Sequence, residues 1–172
     1  TAYLNYFLPA VGLEPMDRGI VVAREVSLVD PLTGQVVEEN ISDAKIGDTL
    51  LVTVTLVAPT NLNYLIVESP LPAGAEAIDP SLLTTSIVYQ EPGLEPVDGN
   101  IDIWRWTPTS TELRDEKVVM FATDLPAGTY EYTYQMRASL PGQFQTLPAV
   151  AYQMYFPEVW GRSAGSQFTI TD

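Results

Sequence analysis

The side chains that could carry out chemistry in this sequence are carboxylates and aromatic rings, and their usual catalytic partners are missing. The 172 residues include 22 Asp and Glu but no His and no Cys. Without Cys there is no thiolate nucleophile and no sulfur ligand for zinc or iron. Without His, the commonest general base is absent and a Ser-His-Asp or Cys-His arrangement cannot form. The chemistry left open is that of paired carboxylates or of a bound calcium ion.

Carboxylates can act in pairs as general acid and base, as they do in glycosidases. None of the candidate residues here carries a spacing signature, and an acidic chain brings such residues together by chance. The candidates are Glu14, Asp17, Glu38, Glu39, Glu112 and Glu158. We therefore predict no catalytic residue and no enzyme activity for this chain.

One segment, residues 98–102, places oxygen ligands at alternate positions, as the start of a calcium-binding loop does. It begins with Asp98, Gly99 and Asn100 and ends at Asp102. The pattern then fails, because Ile103 occupies the position of the turn glycine and Thr109 that of the bidentate glutamate. An Asp-Gly-Asn hairpin turn explains the segment as well. We predict neither a metal nor a cofactor.

The charge of the chain limits its partners. The formal net charge is −14, so nothing in the sequence could neutralise a run of phosphates. We therefore predict that the chain binds no nucleic acid and makes no contact with an anionic membrane. The ordinary interpretation of such a charge is solubility.

An aromatic cluster near the end of the chain is the best candidate for a binding surface. It comprises Tyr152, Tyr155, Phe156 and Trp160. Tyr155 and Phe156 are adjacent, so in a strand they would point to opposite sides and could not share one buried face. Pro157 follows and is expected to end strand pairing. We predict a loop here, with Tyr155, Phe156, Pro157 and Glu158 as interface candidates; the alternative is a loop that folds back over the open end of the fold.

The elements that would position this loop are β-strands. In residues 129–138 apolar and polar side chains alternate strictly, with Tyr130, Tyr132 and Tyr134 on one face, which is typical of a half-buried antiparallel strand. Residues 48–57 form a second clear strand, and 14 Pro and 11 Gly punctuate the chain. No stretch shows sustained helical periodicity with caps. The expected core is Val52, Val54, Leu56, Val119, Phe121, Tyr132 and Tyr134.

These patterns predict an all-β fold, an antiparallel β-sandwich with at most one short helix, near residues 80–84. A chain of this length fits one domain, residues 1–172, with residues 1–16 as a linker or an edge strand. Because the sequence opens without an initiator Met, we expect it to be excised from a longer chain.

Several segments together resemble the C-terminal domain of bacterial alpha-2-macroglobulins. They are DRGIVVARE (17–25), GDTLLVTVTL (47–56), ESPLPAG (68–74), DLPAGTYEYTY (124–134), RASLPGQF (137–144), LPAV (147–150) and MYFPEVWGRS (154–163). The resemblance covers most of the chain. It implies a macroglobulin-like, Ig-like sandwich, the counterpart of the receptor-binding domain of animal relatives.

The resemblance also implies a role. Family members inhibit endopeptidases by entrapment, outside the cytoplasm, and many carry a Cys-x-Glu-Gln thioester in a separate domain, a motif that this chain lacks. The terminal domain packs beside the thioester domain and helps to shield it from water. The expected partners are thus the thioester domain and, through the full-length protein, proteases. Tyr155 is the first candidate for the shielding ring and Phe156 the second.

A rival interpretation is a free-standing Ig-like surface module for adhesion or carbohydrate binding. Composition supports it equally, and Trp104 and Trp106 on one face of a strand would suit stacking against sugars. A β-sandwich hydrolase is disfavoured by the missing histidines.

Overall fold

The structure, a computed structural model, describes residues 9–81, 92–97 and 108–172. A single turn of 3-10 helix (Ala10–Gly12) precedes the strands. The strands in chain order are β1 (Met16–Arg18), β2 (Val21–Val29), β3 (Val36–Glu38), β4 (Asp43–Lys45), β5 (Thr49–Ala58), β6 (Leu62–Pro70), β7 (Ala75–Ala77), β8 (Gly93–Pro96), β9 (Pro108–Leu113), β10 (Lys117–Leu125), β11 (Gly128–Ala138), β12 (Gly142–Thr146), β13 (Val150–Gln153), β14 (Phe156–Arg162) and β15 (Ser166–Thr171).

The strands form three sheets. The first has the order β1-β14-β13-β6-β10-β9, and the second has the order β3-β2-β5-β11-β7 with β8 also paired to β11. The smaller third sheet has the order β12-β15-β4. All pairs are antiparallel except β15 with β4, which is parallel. The prediction of an all-β antiparallel sandwich is confirmed, and within the described ranges the only helix is the 3-10 turn.

The core lies between the first and second sheets. The second sheet supplies alternate residues of β5 and β11, among them Val52, Val54 and Tyr132, and all of them are buried. The first sheet supplies Val118, Met120 and Ala122 from β10. Burial of alternate positions on facing strands is the pattern expected where two sheets share one core. This frame holds the β13–β14 hairpin at one side of the first sheet.

One predicted core residue is wrong. Phe121 is only partly buried, because the residues of β10 that face the other sheet are Val118, Met120 and Ala122. Val119 is buried, as expected, although it belongs to the opposite face of the strand.

Several sequence-based predictions lie outside the described residues. They are the calcium-like segment 98–102 with Ile103, the tryptophans Trp104 and Trp106, most of the predicted helical turn at 80–84, and residues 1–8 of the possible linker. Residues 16–18 form β1, an edge strand of the first sheet.

Buried tyrosines make the fold sensitive to alkaline pH. Tyr134 is 2% exposed and its hydroxyl lies 2.8 Å from Ser69 Oγ, while the Tyr132 hydroxyl donates to Thr111 Oγ1 at 3.2 Å. Burial raises the pKa of both phenols above the ordinary value of about 10. The neutral phenol is therefore favoured in the folded state, and the unfolded chain loses its proton first as pH rises.

Below about pH 10 these two phenols should leave the free energy of unfolding unchanged. Above that pH, the free energy of unfolding should fall as pH rises through their higher folded-state pKa values. Urea unfolding at a series of pH values would measure this. A Tyr132→Phe, Tyr134→Phe double variant should show a smaller decline. An identical pH dependence in the variant and in the wild type would show that these two phenols do not cause the decline in stability.

Candidate functional site

The predicted loop at residues 154–158 is a hairpin. A two-residue turn, Met154–Tyr155, joins β13 to β14, and β14 already begins at Phe156. Gln153 pairs with Phe156 but Tyr152 pairs with Trp160, so three residues of β14 bulge out between the two pairs. Pro157 lies in this bulge, where a missing backbone donor is tolerated. The expectation that Pro157 ends the strand is therefore wrong, because the bulge lets the strand continue to Arg162.

The tip of this hairpin presents aromatic and apolar side chains to solvent. Tyr155 is 65% exposed, Phe156 52% and Met154 48%. The neighbouring Tyr64 is 50% exposed, and its ring meets that of Tyr155 edge to face, with 5.0 Å between ring centroids. We call Tyr64, Met154, Tyr155 and Phe156 the hairpin patch. Because Tyr155 and Phe156 are both exposed, the loop does not fold back to cover the end of the sandwich.

Tyr64 belongs to the site although no pattern in the sequence singled it out. Its φ is 52°, a left-handed conformation that is strained for an aromatic residue. The alternation of β6 breaks at this point, since Asn63 and Tyr64 are both exposed. The Met154 amide donates to the Tyr64 carbonyl at 2.9 Å, and the Asn63 amide donates to Gln153 Oε1 at 2.8 Å. These bonds fix the hairpin tip beside Tyr64, and no local sequence signal predicts them.

An apolar depression adjoins the patch on the outer face of the first sheet. Its volume is about 170 Å³, and it is lined by residues of β6 and β10 together with Met154, including Tyr64, Ile66 and Phe121. Phe121, misassigned to the core, thus contributes to a surface site. Large aromatic rings around an apolar depression are typical of the anchoring regions of protein interfaces.

The rest of the predicted aromatic cluster lies away from the tip. Tyr152 and Trp160 are paired across the hairpin and are half-buried. The Tyr152 hydroxyl lies 3.4 Å from Glu68 Oε1, and Lys117 Nζ lies 3.1 Å from Glu68 Oε2. Partial burial, and then the nearby Glu68 carboxylate, raise the pKa of Tyr152. Tyr152 is therefore a neutral hydrogen-bonding group rather than a nucleophile.

The six carboxylates considered for catalysis are all exposed at the surface. Glu112 pairs with Arg114 on the surface, and Glu158 lies in the exposed bulge of β14. Across residues 9–81, 92–97 and 108–172, no three His, Cys, Asp or Glu residues come together in a way that could hold a metal ion. The same residues contain no helix long and apolar enough to cross a membrane.

Comparison with known proteins identifies the family. Residues 19–158 match the family described as "Bacterial Alpha-2-macroglobulin MG10 domain". The chain belongs to this family. An alpha-2-macroglobulin homolog from Nostoc sp. is 24% identical over 159 residues, which are 90% of this chain and 8% of that protein. Alpha-2-macroglobulin from Thermotoga maritima is 31% identical over 96 residues, 54% of this chain and 6% of that protein.

Solved structures agree with the MG10 assignment. Salmonella alpha-2-macroglobulin reacted with methylamine superimposes with a TM-score of 0.70 at 25% identity, covering 92% of this chain and 10% of that one. Trypsin-activated alpha-2-macroglobulin from Escherichia coli gives a TM-score of 0.71 at 19% identity, and it shares the fold. The MG10 domain thus spans 8% of the Nostoc protein, 6% of the Thermotoga protein and 10% of the Salmonella chain.

Proposed function

We propose that this MG10 domain is a non-catalytic module, C-terminal in its parent, of a bacterial alpha-2-macroglobulin that inhibits endopeptidases by entrapment outside the cytoplasm. The observation that carries the proposal is the hairpin patch, three exposed side chains at the hairpin tip with the exposed ring of Tyr64 beside them. It is supported by the relatives, which are described as alpha-2-macroglobulins.

The partner of the hairpin patch is another domain of the parent chain. The relatives are at least ten times longer than the part matched here, so neighbouring domains are available to cover the patch. Tyr, Phe and Met are enriched at protein interfaces because they supply large contact areas at low entropic cost. The depression beside Met154 would accept an apolar side chain from the partner.

We further propose that the partner is the thioester domain and that Tyr155 covers the thioester. A thioester persists only where water and amines are excluded, and an aromatic ring in front of the carbonyl can exclude them. Salmonella alpha-2-macroglobulin is described as reacted with methylamine, and methylamine is a nucleophile that opens thioesters. Tyr155 is the most exposed aromatic ring of the hairpin patch, and its contact with Tyr64 holds it at the tip. Phe156, Pro157 and Glu158 would extend the same interface.

Replacing Tyr155 with Gly in the full-length parent should increase the rate at which methylamine consumes the thioester before any proteolysis. The reason is that the variant opens space in front of the carbonyl while the sandwich keeps its core. The rate can be followed by the appearance of the free Cys thiol. Tyr155→Phe keeps the ring and serves as the matched control, with a rate close to that of the wild type.

Equal methylamine rates for the wild type and Tyr155→Gly would rule out shielding. The melting temperature of the 172-residue chain provides a separate check, because a residue that is 65% exposed contributes little to packing. A large drop in the melting temperature of Tyr155→Gly would show that the ring stabilises the fold instead.

The rival function, a free-standing adhesion or carbohydrate-binding module, was supported by composition, with Trp104 and Trp106 as the residues suited to stacking against sugars. Both lie outside the described residues, and no observation on the described surface favours it.

A further inference from the structure

A charged residue occupies a core-facing position of the second sheet. On β2, Val22, Arg24 and Val26 share one face, and Arg24 is paired with the fully buried Val54 of β5. Val22 is buried, and Val26 packs against the core. An apolar side chain is expected at this position, since a charge turned inward is costly unless it is paired.

Among the described residues, only part of the hydrogen-bonding capacity of the Arg24 side chain is used. Its Nη1 donates to the carbonyl of Pro70 at 3.2 Å. Within the described part of the chain, no carboxylate lies within ion-pair distance of its guanidinium. Burial lowers the pKa of the Arg24 guanidinium, which nevertheless stays charged because arginine does not lose its proton in proteins. A guanidinium has five N–H donors, so most of those of Arg24 have no acceptor among the residues that the structure describes.

The guanidinium borders a cavity between the second and third sheets. The volume of this Arg24 cavity is about 160 Å³, and its lining includes Arg24 from β2, Tyr134 from β11, Thr146 from β12 and Ser166 from β15. It has apolar walls as well, such as Phe168. The cavity is therefore a pocket with polar and apolar walls, lined by residues of six strands, rather than a gap within the apolar core.

A second and independent feature points to a ligand. Thr146 is 5% exposed, and its Oγ1 has no hydrogen-bond partner among the described residues. Buried hydroxyl groups in native proteins are almost always paired, and an unpaired one costs about 1–3 kcal/mol. Thr146 and Arg24 line the same cavity.

We propose that the Arg24 cavity binds a carboxylate group. The guanidinium fork suits a carboxylate bidentately, and the Thr146 hydroxyl can donate to it, so one ligand would satisfy both residues. The apolar wall at Phe168 suits a short aliphatic stem. Glu25 also lines the cavity, and its negative charge favours a small monovalent anion over a phosphate. The carboxylate comes either from a free small molecule or from an Asp or Glu side chain of the parent chain.

The test uses acetate as the probe, at constant ionic strength made up with sodium chloride. On the 15N-labelled 172-residue chain, acetate should shift the Arg24 side-chain Nε–H signal and the Thr146 amide signal saturably. Arg24→Met should weaken acetate binding roughly 10- to 100-fold, as expected for a lost charge-assisted pair. Thr146→Val, which removes only the hydroxyl, should weaken it several-fold. Arg18→Met deletes the same charge from an exposed residue and should leave acetate affinity unchanged.

The proposal is overturned if acetate causes no saturable shift of these two signals in the wild type, a result that does not depend on whether any variant folds. It is also overturned if Arg24→Met and Arg18→Met bind acetate equally. Calorimetric titration of the full-length parent separates the two sources. If acetate also produces binding heat with the full-length parent, the ligand of the cavity is a free carboxylate. If acetate binds the 172-residue chain but produces no heat with the parent, a carboxylate of the parent itself occupies the cavity.

Discussion

Replacing Tyr132 with Gly is expected to destabilise the domain by about 3–5 kcal/mol or more, enough to unfold much of a marginally stable population. Tyr132 lies on the inward face of β11 and is 1% exposed. Its ring packs against Tyr134, with 6.1 Å between the centroids. The substitution would leave a ring-sized cavity between the two sheets and orphan the Thr111 hydroxyl contact. Urea unfolding followed by tryptophan fluorescence measures the loss.

Tyr155→Gly is the matched control, because it removes the same side chain from the exposed hairpin tip. Its free energy of unfolding should stay within about 0.5 kcal/mol of the wild type, as is usual for surface substitutions, apart from the modest entropic cost of ordering a glycine. Similar losses in the two variants would mean that the hairpin patch is a packing element and not a free surface.

The second large loss of stability is expected from a substitution at Gly161. The absence of a Cβ atom there lets β14 lie close to β2 and to the residue that precedes it. Gly161 is buried in β14, and a Cβ atom placed there would overlap the carbonyl oxygen of Ile20 and lie 3.2 Å from Val22 Cγ2. Because the Ile20 contact is with backbone, it cannot be relieved by a change of rotamer. Gly161→Ala should therefore destabilise the domain by roughly 3 kcal/mol, at the upper end of the usual cost of overpacking.

Gly12→Ala is the control for this substitution, since a Cβ atom at Gly12 meets nothing within 4 Å. The same denaturant titration should give Gly12→Ala a stability close to that of the wild type. A stable Gly161→Ala variant would show that β14 can move away from β2 at little cost.

The parts of the fold that could be predicted from the sequence are those where side-chain period and burial agree. In β11 the strict alternation identified the buried face, and Tyr130, Tyr132 and Tyr134 are all buried. In β10 the run Val118, Val119, Met120 is apolar at every position, so the period is lost. All three are buried, and the sequence alone could not show that Phe121 faces outward.

For the candidate site, the exposed hairpin tip could be predicted from the sequence, but the residues that surround the tip could not. Adjacent aromatic residues followed by Pro157 indicated an exposed tip, and Tyr155 and Phe156 are exposed. The contribution of Tyr64 depends on a left-handed backbone and on hydrogen bonds to residues 90 positions away. The bulge that keeps Pro157 within β14 is likewise a property of the pairing with β13 and not of the local sequence. The cavity at Arg24 could not be predicted because it depends on the third sheet. Strands as short as β4 carry too little periodicity to be recognised in the sequence.

The parallel pairing of β4 with β15 affects how this domain reaches its native state. Thr171 and Ala44, which are 127 positions apart, share a hydrogen bond across these strands. Bringing such distant segments together costs loop-closure entropy before any contact offsets it, and folding rates fall as the sequence separation of contacts grows. One edge strand of the first sheet has a still more distant partner, since Met16 of β1 pairs with Arg162 of β14. The third sheet, with the Arg24 cavity beside it, depends in the same way on strands that are far apart in the sequence. Until the third sheet forms, the Arg24 cavity is open to water, and unpaired strands at this stage can associate with those of other unfolded copies.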